Sequence, residues 1–553
     1  MALEAKDILD RWGVLKGQRS TWDSFWQDIA DYVMPRKGEI TEKMYHPDTI
    51  KQDRLYDSTA IRANQVLANG QLTWMTPLET PWFAFEAPYE MKGDDEVDIW
   101  YQECTTIALL EMARSNFYSE IHELYLDRGC FGTAMLYCEA GYKKALHFEC
   151  HEVGTYSIAE DDEKLVDTVY RDFEWTVRQI IQHFPDENIP DEVKKLAKEG
   201  KVDERRTIVH GVFPRQESDK EWGRRDAISK PFASIYIDKQ SQSILLESGY
   251  DENPYMVTRY LRWQHSPYGY CPSWTALPDA RQANFLEQHM DALAELQAFP
   301  RLLYPSGMEG TVDLRAAGVT YFDAHNPQAK PEEWGTQGRY DIGLDRSERK
   351  RKAINDAYHV DLFQMFSNTD KEMTAREVGE RASEKLIQFS PTFARMTTEL
   401  YNPLLSRVFG LLLRQGKFPE PPEGVIVESA EGLAIQLPEV GYSSRIALAI
   451  KGLENNALFR QLEMIMPILQ LDQSVADNYD FDTIVREASR NDGLPPNWMK
   501  KQDEVQKIRE KREAQLQKQM EAEQAAQSAQ AIQSVGNVPP ENLANVMNMA
   551  GVG

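Results

Sequence analysis

The chain has 553 residues, of which 42% are hydrophobic and 27% are charged, and its formal net charge is −26. This length and composition are typical of a folded protein with several layers or domains. The acidic balance argues against a general nucleic-acid binder, which carries a net basic face to neutralise phosphates. It does not argue against a protein past which DNA slides without being held.

The cysteines and the apolar segments restrict the class further. Five cysteines occur with no Cys-x-x-Cys spacing, which favours free thiols in a reducing cytoplasm over a disulfide framework. The sequence has no run of about 18 apolar residues, so we expect no membrane-spanning helix.

The first predicted helix covers residues 3–33, where apolar and charged positions alternate at helical spacing as far as Pro35. A second predicted helix begins near Asp57 or Ser58, either of which can cap its first turn. We expect Gly70 to loosen its last turns. Two prolines then impose an extended exit that is rich in aromatic residues and pins the helix to a core.

Helix and strand patterns alternate in the next part of the chain. Residues 96–128 give one helical pattern that stops at Gly129, and residues 132–138 are typical of a strand. Between residues 145 and 175 the apolar period changes to two, and residues 205–264 carry several short strands. The first half of the chain is therefore predicted to be α+β.

The middle of the chain predicts a hairpin of long helices. Residues 273–299 form one helical pattern that would extend roughly 40 Å at about 1.5 Å per residue. Residues 301–344 are irregular and punctuated by glycine, with a strand expected at 319–322. A second helix is predicted over 345–366, and a capping box at Thr374 then opens a long helix. This organisation suits a subunit whose two struts line up beside those of its neighbours.

The C-terminal part is predicted to be helical and then irregular. Residues 453–500 show a broken helical pattern. Residues 501–530 are rich in Gln, Glu, Lys, Arg and Ala but keep no heptad, so no coiled coil is predicted. From Gly536 onward we expect poor order.

Motifs for catalysis or cofactor binding are weak. His147, Cys150, His151 and Glu152 could bind a metal, but strand neighbours point to opposite faces, whereas zinc needs four convergent ligands. A partly buried strand is the favoured interpretation. Neither a Gly-x-Ser-x-Gly elbow nor a Gly-x-x-x-x-Gly-Lys-[Ser/Thr] loop is present. We therefore predict no catalytic residue, no metal and no cofactor.

A basic cluster interrupts the acidic chain; its members are Arg346, Arg349, Lys350, Arg351 and Lys352. Two interpretations stay open. The cluster is a solvated helix start, opened by a capping arrangement at 345–348 and paired with Asp345 and Glu348. Alternatively, its members contact DNA phosphates, or acidic neighbours, inside a ring. At about 100° per residue, the first three members share one helical face and the last two lie further round.

Several blocks resemble, in order, the head-to-tail connector, or portal, proteins of short-tailed bacteriophages. Three of them are the helix and exit at 55–85, the glycine-threonine strand at 129–136 and the strand-to-helix entry at 173–179. The segment 268–272 resembles the entry to the family's first stem helix, although Cys271 stands where glycine is usual. The later blocks lie at 374–378, 399–416, 479–482, 493–495 and 503–505. The resemblance covers most of residues 1–510.

The resemblance implies an α+β portal fold with an α/β wing, a two-helix stem, a small α/β clip and a helical crown. It also implies assembly as a ring, typically of twelve copies, through a head-to-tail interface that closes on itself. The implied divisions are a wing at 1–272 and 374–450, a stem at 273–300 and 345–366, a clip at 301–344, a tunnel loop at 367–373, a crown at 451–500, and a C-terminal helix or barrel with a disordered tail at 501–553.

The implied function is a DNA channel at one capsid vertex, in a virion assembled in the host bacterial cytoplasm. A separate terminase motor would package double-stranded DNA through the ring, and the genome would later leave by the same route. Capsid and scaffolding proteins and tail adaptors are the other implied partners, with no membrane. An acidic wall would repel the duplex, while sparse basic residues hold it loosely. The predicted channel residues are Arg346, Arg349, Lys350, Asn368 and Lys371.

Two other classes of protein stay open. A different virion component, such as a capsid or tail-tube protein, would lack the helix, clip and helix in sequence. A carbohydrate-active enzyme would account for the acidic and aromatic residues, but it requires two convergent carboxylates in a cleft.

Overall fold

The computed structural model describes residues 4–41, 55–88, 91, 95–215, 227–299, 301–303, 332–334, 340–364, 390–429, 432–444, 461, 463–467, 478–491, 500 and 502–536. Their contacts define two compact units, Met1–Leu458 and Phe459–Gly553.

The first unit mixes helices and strands. Its described α-helices are α1 (Ala5–Val33), α2 (Thr59–Met75), α3 (Asp95–Arg114), α4 (Phe117–Phe131), α5 (Val177–His183), α6 (Asp191–Lys198), α7 (Pro272–Ala298), α8 (Tyr340–Ala357), α9 (Val360–Phe363), α10 (Ser390–Met396) and α11 (Asn402–Arg414). A π-helical turn, Thr397–Tyr401, joins α10 to α11.

The described strands are β1 (Phe83–Glu86), β2 (Thr133–Ala140), β3 (Leu146–His151), β4 (Tyr156–Glu160), β5 (Val166–Thr176), β6 (Arg205–Pro214), β7 (Phe232–Asp238), β8 (Ser243–Tyr250), β9 (Tyr255–Arg259), β10 (Leu261–Trp263), β11 (Ser266–Tyr270), β12 (Arg301–Leu303), β13 (Glu332–Trp334), β14 (Ile426–Ser429), β15 (Gly432–Ile435) and β16 (Glu439–Tyr442). They form a five-stranded sheet, β4-β5-β6-β7-β8, a three-stranded sheet, β3-β2-β9, and four two-stranded pairs, β1-β16, β10-β11, β12-β13 and β14-β15. The predicted α+β character is confirmed.

The five-stranded antiparallel sheet is covered on both faces. Val209 and Ile235 pack with Trp12 of α1 on one face. Ile208 packs with Ile180 of α5 on the other face. Because consecutive strand residues point to opposite sides, the neighbours Ile208 and Val209 belong to two different cores.

The largest core joins α1, α2, α4 and the three-stranded sheet. Trp26 of α1 is fully buried, and its indole Nε1 donates a hydrogen bond of 3.1 Å to the carbonyl of Phe131. The aromatic exit after α2 also enters this core, where Trp82 stacks on Phe117 with centroids 6.2 Å apart. The exit therefore pins α2 to the core, as predicted.

A buried ion cluster ties the late helices to the strands. The guanidinium of Arg259 in β9 donates to Glu399 through Nε at 3.2 Å and Nη2 at 2.8 Å, and its backbone N–H donates to the same carboxylate at 2.8 Å. Glu160 and the carbonyl of Lys164 also accept from it. Glu399 lies in the π-helical turn. Pro403 has no N–H for the carbonyl four residues earlier, and the wider turn accommodates this break in the helix.

Two of the predicted helices have the wrong bounds. The single helix predicted over 96–128 is two helices, α3 and α4, because the side chain of Asn116 is bonded to the backbone of Phe148 in β3 instead of continuing the helix. The helix predicted from Asp345 begins earlier, at Tyr340. It ends at Ala357, and His359 has a left-handed backbone with φ of 54°.

The second unit contains two described helices, α12 (Phe481–Asn491) and α13 (Gln502–Gly536). Arg509 of α13 pairs with Asp482 of α12 at 2.5 Å. Across both units, none of the helices that the structure describes is long and apolar enough to cross a membrane.

Candidate functional site: the helix pair α7 and α8

Helices α7 and α8 pack side by side in opposite directions. Lys350 contacts Asp279 at 2.8 Å, whereas Gly343 lies against Met290. Residue numbers therefore rise along one helix as they fall along the other, which makes the pair antiparallel. Strands β12 and β13 pair at its far end, where residues 301–303 meet 332–334. The intervening part of the predicted clip, including the strand expected at 319–322, lies outside the described residues.

The near end of the pair is fixed to the core. Tyr358, just after α8, exchanges a hydrogen bond of 2.7 Å with Ser273 in the first turn of α7. The Ser273 hydroxyl also donates to the carbonyl of Gly129 in α4 at 2.9 Å. Cys271, which precedes α7, is buried and its thiol donates to the carbonyl of Cys130. Cys271, which stands where glycine is usual in the family that the sequence resembles, is therefore accommodated in the core.

An ion cluster binds the pair to α2. The Arg351 guanidinium lies 2.8 Å from Asp57, before α2, and 3.0 Å from Glu287 of α7. The Asp57 carboxylate also accepts from the backbone N–H of Thr59, the first residue of α2, at 2.8 Å. Of the two predicted caps, Ser58 occupies the N-cap position without a side-chain bond, and Asp57 supplies the bond to the first turn. Ser347 donates to Glu287 as well. The capping arrangement predicted at 345–348 is wrong, because the helix runs through it and Ser347 contacts α7.

These bonds lower the pKa of Asp57 and so favour its ionised form. Burial of the side chain raises its pKa, but the hydrogen bonds from Thr59 and Arg351 together outweigh burial. The pKa of Asp57 therefore lies below its ordinary value of 3.8. One carboxylate thus holds the first turn of α2 and the cation of α8.

Gly70 in α2 has a different role from the predicted one. The helix continues to Met75, and a Cβ on Gly70 would lie 2.2 Å from the ring of Phe363 in α9. Glycine is needed here for a close approach, not for loose turns. The segment containing Asp57 and α2 is therefore contacted at two points, by Arg351 of α8 and by Phe363 of α9.

The predicted channel cations fall into three groups. Arg346 is exposed and has no carboxylate partner among the residues that the structure describes. Arg349 is 77% exposed and pairs with Asp345 at 2.8 Å, the intrahelical pair expected of a solvated helix start. Lys350 pairs with Asp279 of α7 at 2.8 Å. Asn368 and Lys371 lie outside the described residues.

Apolar side chains are exposed on several sides of the pair. Phe285 of α7 is 58% exposed, and Ile342 and Leu344 of α8 are 49% and 42% exposed. At 100° per residue, Ile342 and Leu344 point to opposite flanks of α8. A helix pair with apolar residues on both flanks is typical of an element that has neighbours on both sides.

The described residues give little support for an enzyme site. No group of three or more His, Cys, Asp or Glu side chains among them could hold a metal. A surface cleft of about 310 Å³ contains Glu174 and Asp203, but Arg178 and Arg205 line it too. It is a charged, open cleft, unlike the mostly apolar pocket in which an enzyme holds a small ligand.

Comparison with known proteins decides the class. Residues 5–499 match the family described as bacteriophage head to tail connecting protein. The chain belongs to this family of structural proteins. It is 28% identical to a probable portal protein of Bordetella phage BPP-1, over 94% of this chain and 93% of that protein. It is also 28% identical to the portal protein of Salmonella phage epsilon15, over 93% of this chain and 92% of that protein.

The predicted resemblance is confirmed over nearly the whole chain, and with it the portal function: this bacteriophage protein is a virion component that connects head and tail. A chain of the virion of a native gene transfer agent particle aligns with 79% of this chain and 94% of its own length. That alignment has 10% identity and a TM-score of 0.35.

Proposed function

We propose that copies of this chain form a closed ring, with twelve as the expected number, whose central channel carries double-stranded DNA. The observation that carries the proposal is the antiparallel pair α7 and α8. It is anchored at one end by Arg351 and Asp57, and it exposes apolar side chains on both flanks. A ring supplies a neighbour to each flank and buries those side chains.

The cations of the pair fit loose contact with DNA. Arg346 meets no carboxylate among the residues that the structure describes, and Arg349 is held by an exposed pair, which is worth at most about 1 kcal/mol. Both can therefore reach a phosphate at little cost. Such contacts are screened over about 10 Å at 0.1 M salt, which favours brief holding over capture. Asn368 and Lys371 of the tunnel loop are proposed for the same role, and Lys350 for holding α8 to α7.

The remaining divisions follow the same proposal. Residues 1–272 and 374–450 form the wing, 301–344 the clip at the tail-facing end, and 451–500 the crown. The clip is proposed to receive tail adaptors and the terminase motor, since it joins two rigid struts at a tip. Capsid and scaffolding proteins surround the ring at one vertex, and assembly takes place in the host bacterial cytoplasm.

Negative-stain imaging of the purified full chain tests the proposal. We expect rings with a central channel at micromolar concentration, in both low and high salt. A monodisperse monomer under both conditions would refute the ring. Stacked tubes or closed shells would favour the alternative of a tail-tube or capsid protein.

A further inference from the structure

Five aromatic side chains form a surface shelf at the root of the helix pair, and we name them together the aromatic shelf: Trp22, Phe25, Trp263, Tyr270 and Trp274. They come from three elements, α1, the β10-β11 hairpin and the first turn of α7. Trp263 stacks on Trp274 at 5.3 Å and 28°, and on Tyr270 at 6.1 Å and 27°. Phe25 meets Trp274 at 3.7 Å.

The aromatic shelf is rigid because it rests on buried rings. Trp22 lies 5.9 Å from Trp26 and 5.8 Å from Tyr268, and both of those side chains are buried. The hydroxyl of Tyr270 is fixed by a hydrogen bond of 2.7 Å with Thr275. A rigid set of rings loses little conformational entropy when a partner covers it.

The outer edge of the aromatic shelf is open to solvent. Trp263 is 44% exposed, and Leu261 of the same strand is 43% exposed. Leu261 lies opposite Tyr270 in the hairpin, so it extends the aromatic shelf with an aliphatic side chain. All three residues of β10 are exposed. An open edge of this composition resembles the core of a protein interface, which is enriched in Trp and Tyr.

The lack of carboxylates on the aromatic shelf makes it a surface on which a second acidic copy can dock. Two copies that each carry −26 repel one another, so their contact is favoured where carboxylates are few. The aromatic shelf has no charged member. The next charged residues along α7 are already paired, Asp279 with Lys350 of α8 at 2.8 Å and Arg281 with Asp28 of α1 at 3.0 Å. Arg262 of β10 is exposed and meets no carboxylate among the described residues, so this edge suits an acidic partner. Duplex DNA would require several such cations.

We infer that the aromatic shelf, with Leu261, is the surface that receives the neighbouring copy at the root of the helix pair. This inference rests on the proposed ring. It goes beyond that proposal by naming the residues on one side of the head-to-tail contact, and it assigns them an apolar partner surface. The flanks of α8 expose Ile342 and Leu344, which are side chains of the required kind.

A double variant of the full chain, Leu261→Ser with Trp263→Ser, tests the inference. Its matched control is Leu110→Ser with Tyr142→Ser, an aliphatic and an aromatic residue that are 46% and 102% exposed outside the aromatic shelf. Mass photometry over a dilution series measures the concentration at which rings dissociate. We expect this concentration to rise at least tenfold for the shelf variant and to stay within twofold of the parent for the control.

The outcomes separate the inference from the ring itself. If the parent is a monomer at every concentration, the proposed ring fails. If the parent forms rings and the shelf variant dissociates at the parent's concentration, the inference is overturned and the ring stands. Rings of normal stability that no longer enter capsids would assign the aromatic shelf to another virion protein. Should thermal unfolding show a misfolded double variant, the single change Leu261→Asp decides by the same measurement.

Discussion

Two arginine-carboxylate contacts join distant parts of the chain, and they differ in their access to water. Between β9 and the π-helical turn, Arg259 and Glu399 are 1% and 5% exposed. In the helix pair, Arg351 is 39% exposed although its partner Asp57 is only 4% exposed. Loss of one partner in the first contact leaves a charge that water cannot reach, whereas a freed Arg351 is readily hydrated. The contact between β9 and the π-helical turn is therefore closed to water, whereas the contact of the helix pair is open to water on the arginine side.

The largest effect is expected at the contact between β9 and the π-helical turn. Replacing Glu399→Gln removes the negative charge that faces Arg259 and Arg395, and we expect the free energy of unfolding to fall by about 3–5 kcal/mol. Denaturant unfolding followed by circular dichroism measures it. The control Glu420→Gln changes an exposed carboxylate and should stay within about 0.5 kcal/mol. A loss below about 1 kcal/mol would show that this contact is no stronger than a surface pair.

A second experiment tests how closely α9, which follows the helix pair, packs against α2. Alanine normally stabilises a helix interior relative to glycine by about 1 kcal/mol. For Gly70→Ala we expect the opposite sign, a loss of about 1–3 kcal/mol, because the new methyl group would overlap the ring of Phe363.

The matched control for Gly70→Ala is Gly13→Ala in α1, where a Cβ would meet nothing within 4 Å. This variant should gain stability. Adding Phe363→Ala to the Gly70 variant should relieve the overlap. If both glycine variants gain stability alike, the contact between α2 and α9 is not a close one.

The contact at Arg351 should be weaker and pH-dependent. We expect Arg351→Ala to cost about 1–2 kcal/mol near pH 6, since it leaves the Asp57 carboxylate, which is 4% exposed, with the N–H of Thr59 as its remaining partner. The folded protein holds Asp57 ionised, with its pKa below 3.8, so this stabilisation is present above that pH. It is lost as the pH falls through the lower pKa of the folded state. The difference between parent and variant should therefore shrink near pH 3; an equal difference at both pH values contradicts the assignment.

The smallest effect on stability is expected for the outward cations. Arg346→Glu combined with Arg349→Glu should leave unfolding and ring formation unchanged, because both side chains lie in solvent. We expect it to reduce DNA packaging or retention in assembled particles. The control, Lys143→Glu with Lys144→Glu, makes the same charge change on the exposed turn between β2 and β3. Packaging equal to that of the parent would show that the cluster is only a solvated helix start.

Much of the helix pair could be predicted from local sequence. The apolar spacing placed the first helix at 273–299, and the structure has it at Pro272–Ala298. The cap at Asp57 was also predictable, since its partner Thr59 is two residues away. The break between α3 and α4 could not be predicted locally. The side chain of Asn116 is bonded to the backbone of Phe148, which lies in a strand 32 residues later.

The site was harder to predict than the fold because its contacts are non-local. Arg351 was expected further round the helix from the functional face, yet it is the anchor, and its partner Asp57 is 294 residues away. Lys350 shares a face with Arg346 on an isolated helix, but the carboxylate of Asp279 turns it inward. Helical periodicity gives the direction of a side chain and not the identity of what faces it.

The Asp57 carboxylate contacts both the N–H of Thr59 and the guanidinium of Arg351, and this also restricts how related chains can diverge. Serine or asparagine at position 57 would still cap α2, but either would leave Arg351 without a full negative charge. Alanine at position 351 would keep the cap and lose the anchor. Substitution at one position therefore changes the cost of substitution at the other, and the two should covary among related chains as a pair, although almost three hundred residues separate them.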